Sequence, residues 1–166
     1  MVELTNKNII KLCGFMEATE VLAKKLSRDK STKCASMILG PDFGVRSMGY
    51  NGFPRGVYEG ATARHERPEK YFWAEHSERN AIYSAAKVGT ALDGCMILVA
   101  APIPPCMDCA RAIIQSGINV VVIQQDLNSE HPTWKEHSER VRRIFAEAEV
   151  EVVNLNEYRN ETEVQF

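Results

Sequence analysis

The chain has 166 residues, 45% hydrophobic and 25% charged, enough for one domain with a sizeable core. Its net charge of −2 supplies no basic field to draw in a polynucleotide, and no apolar run reaches the ~20 residues of a membrane span. Five cysteines, an odd number, behind a polar Met1-Val2-Glu3-Leu4 start suit a reducing, cytoplasmic setting better than a disulfide framework.

In chain order, residues 3–27 read as a helix. Ile9, Leu12, Met16, Ala23 and Leu26 fall at helical spacing, with Cys13 as a small core residue beside them. Residues 27–33 are polar and form a loop. Residues 34–39 and 45–50 read as two strands of a hairpin, joined by the turn chemistry of Gly40-Pro41-Asp42-Phe43-Gly44. The segment Gly49-Tyr50-Asn51-Gly52-Phe53-Pro54-Arg55-Gly56 holds three glycines and a proline, so it reads as a strand end running into a ligand-facing loop. Residues 57–70 are charged and irregular.

Tyr71, Phe72 and Trp73 lead into a helix that carries His76 and Glu78. It buries Ala81, Ile82, Ala85 and Ala86 and stops at Gly89. Residues 95–100 are continuously apolar, as expected of a strand covered on both faces. A helix over 106–116 buries Ile113 and Ile114 and stops at Gly117. Residues 118–123 form another buried strand and 125–133 a loop. A helix over 134–149 puts Trp134, Val141, Phe145 and Ala148 on one stripe, and 150–155 is a last strand before a polar tail from about 156. The pattern is α/β: a mixed five-stranded sheet with helices on both faces, in one domain over 1–166. Its last three strands are parallel, because a helix joins each to the next.

Two segments carry chemistry. His76-Ser77-Glu78 offers an imidazole and, two residues on, a carboxylate; Pro105-Cys106-Met107-Asp108-Cys109 offers two thiols. One histidine and two cysteines on tetrahedral zinc leave one position for water, which marks a catalytic site. His-x-Glu followed by Pro-Cys-x-x-Cys is the established signature of zinc deaminases. Both cysteines fall in the first turn of their helix, where the positive dipole end favours thiolate. The alternative is a structural zinc with Cys34 or Cys95 as fourth ligand, which leaves Glu78 without a task. The pentapeptide Glu-His-Ser-Glu-Arg recurs at 136–140, with no cysteine pair after it, so His137 reads as structural or as a pocket-edge residue. His65 and His131 read as solvated loop residues.

The chain resembles the deoxycytidylate deaminases of the cytidine deaminase superfamily. The resemblance rests on Gly49-Tyr50-Asn51-Gly52-Phe53-Pro54-Arg55-Gly56, on His76 to Ile82 and on Pro105 to Ile114. It implies a three-layer α/β/α sandwich that deaminates dCMP to dUMP for thymidylate synthesis. His76, Cys106 and Cys109 would hold one zinc per chain, with Glu78 as the catalytic proton shuttle. Asn51 matches the residue that contacts the sugar, and Pro105 belongs to the substrate-binding segment. Arg55, Arg79 and Lys33 are the candidates for the 5′-phosphate, which needs cationic donors. Gly49, Tyr50 and Gly52 fall in the loop assigned to effector or oligomer contacts. A homo-oligomer, commonly a hexamer, with dCTP and dTTP as effectors is implied too. Two departures stand out. Ser77 replaces the usual alanine and, being small, is expected to do little. Val57-Tyr58-Glu59 lies where many members have a cysteine for a second zinc. Other superfamily activities, on a nucleoside, a free base or tRNA, remain the alternative, as does a non-catalytic zinc-stabilised module.

Overall fold

The computed structural model describes residues 5–125 and 135–158. The expectations for Trp134, His131, the loop around them and the tail beyond Tyr158 lie outside those residues. The first helix, α1, runs Asn6–Leu26 behind Thr5, whose hydroxyl accepts the Asn8 N–H at 3.3 Å. It buries Ile9, Leu12, Met16, Thr19 and Ala23. Leu26, expected on that stripe, is 41% exposed. It is the last helical residue, and the chain then turns so that Ser27, not Leu26, points inward to Asn51.

The sheet contains β1 (Ala35–Leu39), β2 (Val45–Tyr50), β3 (Met96–Ala100), β4 (Val120–Ile123) and β5 (Glu151–Asn154), in the order β2-β1-β3-β4-β5. As expected, β1 and β2 form a hairpin, and β3, β4 and β5 are parallel. Alternation along β3 divides the core. Ile97 and Val99 face α3 (Ser77–Val88), α4 (Met107–Gln115) and α5 (Lys135–Glu147), whereas Met96, Leu98 and Ala100 face α1. Helices therefore cover both faces, giving the three layers expected.

Some residues lie elsewhere than their spacing predicts. Ala86 and Ala148 are exposed. The buried face of α3 is the narrower Ala81, Ile82, Ala85 stripe, and Ala148 lies past the end of α5, just before Glu149 turns the chain at positive φ. The stretch read as irregular contains a 3₁₀ turn at Thr62–His65 and a single helical turn, α2 (Lys70–Trp73). His65 is not simply solvated: it stacks on Phe53 at 4.7 Å, and its Nε2 lies 2.7 Å from the Glu59 carbonyl. Among the described residues no helix is long and apolar enough to cross a membrane.

The topology brings the two chemical segments together. β2 precedes α3 and β3 precedes α4. These strands are not neighbours: β1 lies between them and runs antiparallel to both. They therefore run the same way, and both helices begin at one sheet edge, where sites in open α/β folds gather.

Candidate active site

His76 is the N-cap of α3 and Cys106 the N-cap of α4, with Cys109 in the first turn of α4. Both caps are extended, which turns their side chains toward the gap between the two helix starts. His76 Nδ1 lies 3.5 Å from each sulfur, and the three donor atoms all fall within 4.8 Å of one another. Zinc bonds of ~2.1 Å to nitrogen and ~2.3 Å to sulfur, at a tetrahedral angle, require roughly 3.6 Å between N and S. The donor set therefore fits zinc in both chemistry and spacing. Among the described residues this is the one such group. Cys34 is not part of it, and Cys95 is buried in the core, so neither supplies a fourth ligand.

The Cys109 thiol donates to Cys106, which, with His76 and the Cys109 N–H, holds Cys106 down to about 3 against the effect of burial. Cys109, as the donor and buried, is pushed up. The hydrogen bond to Cys106 raises His76. Cys34 is pushed up to about 12, first by burial and then by the nearby Glu78 charge, and so stays a neutral thiol.

Glu78 sits in the first turn of α3, only 5% exposed, and lines a cavity of about 370 Å³ together with His76, Cys106 and His137. Ser77, expected to be inert, donates to Glu78 Oε2 at 2.9 Å. Glu75 exchanges two backbone hydrogen bonds with Gly52, of 2.8 and 3.2 Å, which pins the loop after β2 beside His76. Arg79 bonds Glu75 at 2.5 Å and reaches Asp108 at 3.6 Å, so it braces α3 against α4 and does not line the cavity.

Asn51 is in the cavity wall, 7% exposed. Its Oδ1 accepts from Ser27 and from the Cys34 N–H, and its Nδ2 donates to the Thr32 carbonyl. One amide hydrogen is left for a ligand. The other expected substrate residues are not brought to the cavity. Arg55 is exposed and bonds Ser84 at 2.7 Å. Lys33 donates to the Lys24 carbonyl and borders a separate cavity of about 200 Å³. Pro105 is buried and does not line the cavity, whereas its neighbour Pro104 does. Gly49 has a packing role: a Cβ there would overlap the Ala81 nitrogen and the Ser77 carbonyl of α3. The Tyr50 carbonyl accepts from Asn80.

The cations that do line the cavity are Arg67 and Lys70, and the sequence reading missed both. Lys70 is buried and donates to Asp29 Oδ2 at 2.8 Å and to Ser31 at 2.7 Å. Arg67 is exposed at the rim. The available signal was their position just before the aromatic run Tyr71-Phe72-Trp73 that leads to His76.

Comparison with known proteins gives a consistent result. The model of the cytidine and deoxycytidylate deaminase zinc-binding region matches residues 10–125. The chain is similar to an uncharacterized deaminase from the luxG 3′ region of Aliivibrio fischeri, 36% identical over 129 residues, or 78% of this chain and 83% of that one. It is also similar to the deoxycytidylate deaminase of Homo sapiens, 32% identical over 117 residues, or 68% of this chain and 64% of that one. In fold it resembles the dCMP deaminase of cyanophage S-TIM5, crystallised with dCMP and dUMP. There the TM-score is 0.68 at 21% identity, covering 92% of this chain and 99% of that one.

Proposed function

Since the chain belongs to the cytidine and deoxycytidylate deaminase family, we propose that it hydrolyses dCMP to dUMP and ammonia, a reaction that supplies thymidylate synthesis. The observation that carries this reading is the His76, Cys106 and Cys109 donor group set beside buried Glu78 at a cavity of about 370 Å³. The relatives named deoxycytidylate deaminase support the choice of substrate.

His76, Cys106 and Cys109 would hold one zinc. When bound there, zinc supplies a water whose pKa is near 7 instead of 15.7. Glu78 does the proton work. Its carboxylate takes the proton of the attacking water as general base and delivers it to N3 of the cytosine, which makes C4 electrophilic. The water oxygen adds to C4, and Glu78 takes the second proton from the resulting C4 hydroxyl and passes it to the exocyclic amine, so the C4–N bond breaks, ammonia leaves and the C4 carbonyl remains. One carboxylate serves both steps only if it is within hydrogen-bond reach of both water and base. Ala101, Ile103 and Pro104 give the base an apolar wall, and the remaining Asn51 amide hydrogen contacts the sugar.

The 5′-phosphate sits at the Arg67 end. Asp29 already neutralises Lys70, which leaves Arg67, over the Tyr71 ring at 5.7 Å, as the exposed cation among the described cavity residues. Glu78 also lines the cavity, beside His76, and its carboxylate disfavours phosphate there. The same reading includes a cytoplasmic homo-oligomer with dCTP and dTTP as candidate effectors, which the panel below tests.

The test is a deamination panel of dCMP, CMP, dCTP, deoxycytidine and cytosine, run with and without dCTP and dTTP. Selective turnover of dCMP is expected. Faster turnover of deoxycytidine or cytosine would move the chain to another activity of the family.

A further inference from the structure

The proton-handling carboxylate is tied to the sheet by two buried hydroxyls. Ser77 Oγ donates to Glu78 Oε2 at 2.9 Å, and Ser36 Oγ lies 2.9 Å from Ser77 Oγ. A carboxylate only accepts, and a serine has one hydroxyl hydrogen. Ser77 therefore gives its hydrogen to Glu78, and Ser36 must donate to Ser77. The direction of the chain is fixed: Ser36 to Ser77 to Glu78. Both serines are fully buried and Glu78 nearly so, so neither hydroxyl has water as a substitute partner.

The placement is specific. Ser36 lies in β1, on the same side as Ile38, the side that packs under α3. Ser77 is the first residue of α3. Gly49 lets that helix start sit against β2, which brings the two hydroxyls within reach. The resembled family has alanine in place of Ser77. A buried Ser36 facing an alanine would lose its partner, so the two serines make sense as a pair.

We propose that Ser36 and Ser77 are positioning residues: together they hold Oε2 of Glu78 toward the sheet and leave Oε1 to move protons in the cavity. This rests on the role assigned to Glu78 but not on which cytosine compound is the substrate. A flexible carboxylate must be oriented anew in each turnover, whereas a tethered one stays within reach of both water and base. The effect therefore falls on kcat and not on ground-state binding.

The experiment is a double-mutant cycle on zinc-loaded protein with Ser77→Ala, Ser36→Ala and the double variant. It measures kcat and KM for dCMP, dUMP affinity and zinc content, with crystal structures of wild type and Ser77→Ala. Ser77→Ala is expected to lose about 5- to 20-fold in kcat, as for a hydrogen bond to a charged group, with dUMP affinity within about 2-fold and zinc retained. Ser36→Ala, acting only through Ser77, loses less. The double variant is no slower than Ser77→Ala alone, a non-additive result. It also leaves no orphaned hydroxyl, so it carries the test if a single variant folds poorly. In the crystals, Glu78 has one carboxylate orientation in wild type and more than one in Ser77→Ala. That readout holds whatever the substrate, so an error in the dCMP reading is told apart from an error here. Unchanged kcat in both Ser77 variants, additive losses, or a Glu78 ordered alike with and without Ser77 would overturn the proposal.

Discussion

His137 Nε2 accepts the backbone N–H of Met107 at 3.1 Å, so the last helix caps the helix that carries both cysteines. Met107 is the first residue of α4, and its N–H is one of the donors a helix start leaves unpaired. The repeated pentapeptide thus serves twice at the same site: His76 offers a ligand atom, and His137 steadies the turn that presents the other two.

That division gives the first prediction. His76→Ala removes one of three ligands and should abolish both bound zinc and turnover. His137→Ala should keep zinc and most of kcat while losing about 1–2 kcal/mol of stability, as for a lost helix cap. Metal content and thermal melting of the two variants side by side check this. Zinc lost from His137→Ala but kept by His76→Ala would reverse the assignment.

The phosphate end is tested by charge removal. Arg67→Ala should raise KM for dCMP about 10- to 100-fold, the range for a hydrogen bond between charged groups, with little effect on deoxycytidine. Arg55→Ala and Lys33→Ala should stay within about 2-fold, since neither residue lines the cavity. A larger KM effect at Arg55 than at Arg67 would move the phosphate elsewhere.

Asp29 and Lys70 predict an acid response. Burial pushes the Asp29 carboxyl up, but Lys70, Ser31 and Thr32 outweigh it and hold it at about 2, against ~3.9 in an unfolded chain. A depressed carboxyl adds stability that is fully present above about pH 4 and is lost as pH falls toward about 2, here about 2–3 kcal/mol. Asp29→Asn leaves Lys70 buried without its counter-charge and should cost about 3–5 kcal/mol at pH 7. In urea unfolding the gap between wild type and variant should narrow from pH 5 to pH 2.5. A constant gap would remove the ion pair from the acid response.

Much of this was legible in the sequence, for local reasons. The helix and strand periods, the glycine stops and the His-x-Glu and Pro-Cys-x-x-Cys spacings are all short-range patterns, and the elements and the donor group followed from them. What was not legible depends on residues far apart in the chain. Asp29 meets Lys70 and Ser36 meets Ser77 across 41 residues each, and no local pattern announces such a pair. Arg55 looked apt because it lies in the glycine-rich segment, but that segment sends it to Ser84 of α3. Helix ends misled in the same way: the periods continue through Leu26 and Ala148, while the chain has already turned away from the core.

Gly49 tests the packing that lets α3 start beside the sheet. Gly49→Ala should destabilise the fold by more than about 1–3 kcal/mol, the usual cost of overpacking, because the obstructing atoms are backbone. It should also slow turnover by shifting His76 and Glu78. Normal stability with altered response to dCTP would instead return Gly49 to an effector loop.

The central claim is that Glu78 moves the protons of a zinc-dependent dCMP deamination. The most direct test is dUMP formation by wild type and Glu78→Gln, with zinc measured on the same samples. Glutamine keeps the shape but cannot accept and return a proton. The account predicts equal zinc, close to one per chain, and a loss of at least about 10²-fold in kcat. Turnover within a few-fold of wild type in a zinc-replete Glu78→Gln protein would contradict it.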